Sequence, residues 1–232
     1  MPVKRYTYFL IIVLLVSCKK PQPIQTRLYT SLGIEVLNGH VKEIYSGDSS
    51  KQRSRYYRYS FDRNGNMISS KERLGADTSI YIDKRQYTVK YDKEGLIKAI
   101  IYNVSESGYS NAGYSDTLLF DSKGHLATRG NPLYSTGNIV HYKCDADGYV
   151  ITDTLIYKDR FNAAEIDNYK YNDQHQLIET TFFEGNALLY KITFEYTEFD
   201  SKHNWTKRID KIHDYLVPSP LPVTFTRKIT YY

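Results

Sequence analysis

Tyr91-Asp92-Lys93-Glu94-Gly95-Leu96-Ile97 is the stretch that decides the fold. Asp opens a type I turn, because its carboxylate accepts nearby backbone N–H groups. Gly three positions on supplies the left-handed conformation that closes a three-residue loop with a bulge. Tyr91 and Ile97 then face each other across a hairpin, an aromatic–aliphatic pairing that stabilises sheets. Working outward, the same pattern recurs at Phe61-Asp62, Phe120-Asp121, Cys144-Asp145, Tyr171-Asn172 and Phe199-Asp200. The period is ~24–30 residues, a repeat length typical of tandem arrays. Three after each aromatic-column Asp or Asn comes Gly65, Gly95, Gly124, Gly148, His175 or His203. Two further on stands Met67, Ile97, Leu126, Val150, Leu177 or Trp205, apolar every time. Two before the aromatic column stand Tyr59, Val89, Leu118, Tyr142 and Tyr169. The sixth unit breaks parity, with Tyr196 three before Phe199, so Thr197-Glu198 reads as a bulge or insertion. His175 and His203 replace glycine at a left-handed position, which His tolerates at some cost.

The chain is therefore expected to be all-β, with about six tandem antiparallel hairpins. A strand over 39–45 precedes them and one over 223–231 follows. Pro218, Pro220 and Pro222 place a loop before the last strand. One hairpin cannot bury its face alone, so neighbours must stack. Hairpin spacing alone does not choose among an extended sheet, a spiral and a barrel. The expectation is an extended, twisted or spiralling sheet, with free edges at 39–45 and 223–231 open to a partner strand. This repeat domain spans 39–232.

Composition fits that reading. There are 24 Tyr against 2 Met and 1 Trp, and Tyr suits a half-buried pleated surface. The net charge is +5 with no long basic run, which speaks against a nucleic-acid partner.

The first residues resemble a bacterial lipoprotein signal. Lys4 and Arg5 precede a short apolar run, Tyr6 to Val16, which ends in Leu15-Val16-Ser17-Cys18. The run is far shorter than the ~20 residues that span a bilayer. The resemblance implies that residues 1–17 are removed and that Cys18 is acylated, with the membrane as partner through that anchor. Residues 18–38 read as the lipidated cysteine and a tether. Removing Lys4 and Arg5 lowers the net charge from +5 to +3. Lys19 in place of an aspartate favours the outer membrane. The non-acidic Lys19-Lys20-Pro21-Gln22-Pro23 leans towards its periplasmic face. Cys144 is then alone, and no intramolecular disulfide can form.

The hairpin motif resembles the YD repeat of RHS-type proteins, whose hairpins wind into a β-shell. Tyr91 to Ile97 carries the likeness best, with Phe61 to Met67 and Phe199 to Trp205 as degenerate copies. Such repeats occur in secreted lipoproteins of Bacteroidetes. This chain is too short for a closed shell around a cargo and has no toxin domain, so a delivery role does not carry over. MORN-like hairpin repeats are a poorer match because their period is shorter.

Chemistry is sparse. The repeated Asp62, Asp92, Asp121 and Asp145 are explained by their turn position. Asp145-Ala146-Asp147-Gly148 resembles half a calcium loop, without the distant Glu such a loop needs. His40, His125, His141, His175, His203 and His213 show no metal-site spacing, although His125, His175 and His203 share one turn edge. No cofactor fingerprint or nucleophile motif is present. Asp116-Thr117-Leu118 and Asp153-Thr154-Leu155 resemble an O-glycosylation signal but fall in predicted strands. The remaining candidates are the off-register tyrosines Tyr56, Tyr81, Tyr102, Tyr109, Tyr114 and Tyr149. If exposed, they form a surface for stacking on sugars or packing on protein. The expected function is a non-catalytic envelope lipoprotein, a scaffold or binding module for a protein or glycan. The alternatives are a glycan-active accessory protein or enzyme, and a surface-displayed adhesin or effector.

Overall fold

The computed structural model describes residues 26–30, 33–48, 55–74, 81–105, 114–130, 138–157, 164–215 and 222–232. A hairpin comes first, β1 (Thr26–Thr30) and β2 (Gly33–Leu37). Then follow β3 (Val41–Asp48), β4 (Arg55–Phe61), β5 (Met67–Leu74), β6 (Tyr81–Tyr91), β7 (Ile97–Ser105), β8 (Tyr114–Phe120) and β9 (Leu126–Gly130). The second half holds β10 (Ile139–Cys144), β11 (Val150–Ile156), β12 (Ala164–Tyr171), β13 (Leu177–Glu184), β14 (Ala187–Phe199), β15 (Trp205–Asp214) and β16 (Val223–Tyr231). Among the described residues, β3 to β16 form a fourteen-strand antiparallel meander that closes on itself.

Six turns join consecutive strands along one rim: 62–66, 92–96, 121–125, 145–149, 172–176 and 200–204. In each, the opening Asp or Asn accepts backbone N–H groups two and four residues on. Asp92 Oδ1 takes those of Glu94 and Leu96 at 3.0 and 2.8 Å. Gly95 sits at φ 83°, and His175 and His203 hold the same left-handed geometry at 58° and 62°. Replacing His203 with Gly removes a Cβ from that conformation. Because His203 is exposed, the change is expected to stabilise the fold by about 1 kcal/mol, read as a raised urea midpoint. An unchanged or lowered midpoint would contradict it.

The extended or spiralling sheet is overturned by closure. Strands β3 and β16, expected as free edges, pair with each other from Asp48–Phe225 to Val41–Tyr231. The physical cause is a bulge repeated at every one of the six turns. Ser60 pairs Ser69 but Phe61 pairs Met67, which leaves Ile68 as an extra residue. The same slip leaves out Lys98, Ala127, Ile151, Ile178 and Thr206. A bulge bends its strand and raises the local twist. Repeated on one rim it curls the whole sheet in one sense until its ends meet. Thr197 is a further bulge, between the pairs Tyr196–Arg208 and Glu198–Lys207.

Alternation sets what faces in and out. Along β6, Lys84, Gln86, Thr88 and Lys90 are exposed, while Arg85, Tyr87 and Val89 turn inward. Cross-strand ion pairs lace the outer wall, Lys191–Glu179 at 2.8 Å and Lys211–Glu195 at 2.7 Å. A lipid-facing barrel carries an apolar outer band, and these charged pairs stand on the outer wall beside exposed Tyr45, Leu119, Ile139 and Ile156.

A barrel of about eight strands fills with side chains, whereas one of roughly sixteen leaves a channel. Fourteen strands need long inward side chains, and the tyrosines supply them. One packed cluster holds Ile100, Tyr102, Val104, Leu118, Leu126, Val150 and Tyr169. The other closes the turn-side mouth, where the β1–β2 hairpin inserts. Leu28 and Leu37 pack there on Val41, Ile44, Phe61 and Met67. Arg27 N–H donates to Gly65 O at 3.3 Å, and Thr26 Oγ1 donates to Gly39 O at 3.1 Å. The β1–β2 hairpin, which falls within the stretch 18–38 expected as a tether, thus packs on the barrel mouth. Residues 1–25, with Cys18 and the signal segment, lie outside the described residues.

Candidate functional site

Between the two packed clusters lies a cavity of about 1080 Å³ inside the barrel. Tyr149, Tyr171 and Phe199 line its turn-side part. The rest of its aromatic wall comes from Tyr57, Tyr59, Tyr87, Tyr196, Trp205 and Phe225. These are inward columns of β4, β6, β14, β15 and β16, set by the period of two from each turn. The Tyr57 and Tyr59 rings lie 6.1 Å apart and almost parallel, 8° between planes. Tyr196 meets Trp205 at 5.8 Å and 51°.

Charged groups are set between the rings. The Arg208 guanidinium stands 5.0 Å from the Trp205 ring and 5.4 Å from Phe225. It donates to both carboxylate oxygens of Asp210, at 2.6 and 2.9 Å. Burial raises the Asp210 carboxyl above its usual range, against the pull of Arg208. Arg227 also lies over the Trp205 ring, 3.7 Å from its centre. It donates to both oxygens of Glu35 on β2, at 2.7 and 3.0 Å, and to Trp205 O. Burial pushes the Tyr196 hydroxyl up to about 12. Arg55, Glu72 and Arg85 line the same space, and Arg55 pairs Glu72 at 3.4 Å. The cavity therefore offers flat apolar rings beside fixed donors and acceptors. Such a mix suits a ligand with both apolar faces and hydroxyls.

A second polar group sits in the packed half. Tyr102 donates to Asp116 Oδ2 at 2.6 Å, and Arg129 to the same oxygen at 2.9 Å. Tyr169 donates to Asp153 Oδ2 at 2.7 Å. Asp153 and Asp167 are direct cross-strand neighbours. Burial, then the charges of Asp153 and Glu165, lifts the Asp167 carboxyl to about 7. Neither Asp153 nor Asp167 lines the cavity.

The structure separates the off-register tyrosines. Tyr102 is 3% exposed and faces the lumen, which corrects its expected exposure. Tyr56 lies on the outer wall, with the Tyr45 ring at 6.5 Å and the Arg73 guanidinium at 4.9 Å. Tyr149 sits on the turn rim, stacked on His175 at 4.5 Å, and lines the cavity there. Tyr81 and Tyr114 fall in β6 and β8, opposite Arg73 and Val104. Tyr109 lies outside the described residues. Tyr56, Tyr102 and Tyr149 thus lie on three different parts of the barrel. The turn residues Asp62, Gly65, Asp92, Gly95, Asp121, Gly124, Asp145 and Gly148 all belong to the rim. Asp145 Oδ1 accepts the N–H groups of Asp147 and Tyr149. The Cys144 thiol donates to Leu126 O at 3.4 Å, and burial pushes it up to about 11. Among the described residues, no His, Cys, Asp and Glu side chains gather into a metal-binding group.

The lumen itself is not readable from the sequence pattern, because alternation shows which side faces in but not how wide the enclosed space is. The in-phase position of its lining residues relative to the turns was the available signal.

No protein family matches the chain, and no curated protein does. Solved structures share parts of its shape. A porin-like protein from Bacteroides uniformis is 10% identical with a TM-score of 0.46, covering 82% of this chain and 98% of its own. A TcdB2–TccC3 complex is 12% identical with a TM-score of 0.23. The Photorhabdus luminescens Tc holotoxin pore is 13% identical with a TM-score of 0.22. This chain spans 12% of the length of either of these two toxin chains, with 77% of itself covered.

Proposed function

We propose that this chain is a non-catalytic, lipid-anchored cell-envelope protein whose barrel lumen binds a glycan. The observation that carries the ligand is the Trp205 ring with the Arg208 and Arg227 guanidiniums 5.0 and 3.7 Å from its centre, lining a cavity that Tyr57 and Tyr59 also line. Sugars offer an apolar ring face to aromatics and hydroxyls to paired ions, and this wall presents both partners. The anchor rests on Lys4, Arg5, the apolar run and Cys18. Lys19 and the residues after it support the periplasmic face of the outer membrane. The ion pairs on the outer wall agree with a barrel held beside a membrane by acyl chains.

Trp205 is the single tryptophan, so its emission reports on the lumen. Titration with envelope oligosaccharides is expected to shift that emission. Tyr57→Ala is expected to weaken binding about tenfold, or ~1.4 kcal/mol. Tyr56→Ala, on the outer wall, should leave affinity unchanged. If Tyr56→Ala weakens binding and Tyr57→Ala does not, the site is not the lumen.

A second reading, a glycan-active enzyme, has the neighbouring Asp153 and Asp167 in its favour, since paired carboxylates with separated ionisation serve glycoside hydrolysis. Their place away from the cavity weighs against it.

A further inference from the structure

The turn rim is chemically lopsided. Around the turns 62–66 and 92–96 the rim exposes the large apolar side chains Ile68, Tyr91, Leu96 and Tyr232, and at the turn 200–204 Phe199 is exposed at the edge of the cavity. Leu96 is 42% exposed and Tyr232 51%. On the other three turns Leu119 is the exposed large apolar side chain, and the column residues Phe120, Cys144 and Tyr171 are half-buried, while Phe61 of the first turn is buried.

Side-chain contacts make this arc continuous. Tyr91 donates to Asn66 Oδ1 at 2.8 Å, which joins the second turn to the first. Tyr232 donates to Phe61 O at 2.6 Å, with the Arg63 guanidinium 5.7 Å and the Lys42 ammonium 5.9 Å from its ring. The Lys202 ammonium stands 5.7 Å from the Tyr231 ring, which joins the sixth turn. Asp62, Asp92 and Asp200 in this arc are turned onto backbone N–H groups, and Glu94 is exposed. The arc thus carries aromatic and aliphatic groups interleaved with long cations, and no large net charge.

The N-terminal end of the body lies on the same arc. Thr26 bonds to Gly39 O, and Arg27 N–H bonds to Gly65 O in the first turn. A Cβ on Gly39 would meet Lys202 at 2.8 Å, which places this entry against the sixth turn. Eight positions separate Cys18 from Thr26. A fully extended chain spans ~3.3–3.6 Å per residue, so Thr26 lies within about 28 Å of an acylated Cys18.

We propose that this arc is a membrane-contacting surface, seated on lipid headgroups beside the acyl anchor. The proposal rests on the anchored reading above. Tyr and Leu enter the interface while Lys and Arg extend their charged ends to the headgroups. The barrel then stands on its turn rim, with the opposite rim pointing away from the bilayer.

Bromolipid quenching of tryptophan tests it. The full acylated chain is placed in phosphatidylethanolamine–phosphatidylglycerol vesicles with brominated acyl chains. Leu96→Trp and Tyr232→Trp put probes on the arc, and Asn186→Trp puts one in the β13–β14 turn at the other rim. The arc probes are expected to lose at least about half their emission, while Asn186→Trp and the buried native Trp205 keep theirs. Two arc probes guard against one misfolded variant. Vesicle-bound protein with arc probes as bright as Asn186→Trp would overturn the rim assignment and leave the anchor standing. Protein that floats free of the vesicles would overturn both.

Discussion

Arg227→Ala is expected to destabilise the fold by about 2–4 kcal/mol and to loosen the β1–β2 hairpin from the barrel mouth. The Arg227 side chain is 1% exposed, whereas that of Glu35 is 32% exposed. Removing the arginine strips Glu35 of two charge-assisted hydrogen bonds and the Trp205 ring of a stacked cation. It also leaves Trp205 O without its donor. Glu35 regains some water, which places the loss below that of a fully buried pair. Glu35→Gln should cost less, about 1 kcal/mol, because the guanidinium keeps the Trp205 ring and carbonyl. Urea unfolding followed by Trp205 emission gives both values, and the double variant gives their coupling. Limited proteolysis should cut within 26–37 first in Arg227→Ala. A loss under about 1 kcal/mol in Arg227→Ala, or equal losses in the two variants, would show that the hairpin is held by its apolar contacts alone.

Asp167→Asn is expected to stabilise the protein near neutral and alkaline pH and to flatten its stability profile. Burial, then the charges of Asp153 and Glu165, raises this carboxyl to about 7. In the unfolded chain it ionises near 3.9. Between those values the native state holds a proton that the unfolded state has lost, so stability falls as pH rises. The fall ends above about pH 7, where both states are ionised and the native state carries a charge beside Asp153. A full shift of this size would correspond to ~4 kcal/mol. Asp167 is only half-buried, and water screening reduces the expected effect to about 1–2 kcal/mol. Unfolding midpoints taken from pH 4 to pH 9 should slope downward in the native protein and lie flatter in Asp167→Asn. Parallel profiles would show that Asp167 ionises freely in the fold.

The turns were legible in the sequence because their chemistry is local. Asp92 and Gly95 specify their loop through bonds within five residues, and His203 betrays its geometry by standing in a glycine column. Thr197 was legible because Tyr196 breaks an otherwise regular spacing. The six bulges beyond the turns were not. Ile68, Lys98, Ala127, Ile151, Ile178 and Thr206 have no side-chain type in common, since a bulge is a backbone event. Missing the bulge at Lys98 flips the rest of β7 to the wrong face. That is why Tyr102 reads as exposed in sequence and lies inside the barrel. The place of the β1–β2 hairpin was equally hidden. Its polar contacts reach Arg227 and Asn204, more than a hundred and sixty positions away, and nothing local encodes them. The cavity depends on strand number and closure together, so it becomes visible only once the ring is drawn.

The pairing of β3 with β16 also sets when this protein can become itself. Every other wall contact joins strands adjacent in sequence and can form as the chain emerges. The seam joins Val41 to Tyr231, the two ends of the domain. Until the last strand has joined the wall, β3 and β15 both present unpaired backbone to their surroundings. The half-made wall is therefore an open ribbon that needs shelter from its neighbours. High contact order makes the final seam the slow event. Maturation of this barrel is timed by the arrival of its last nine residues of strand, not by the folding of any hairpin.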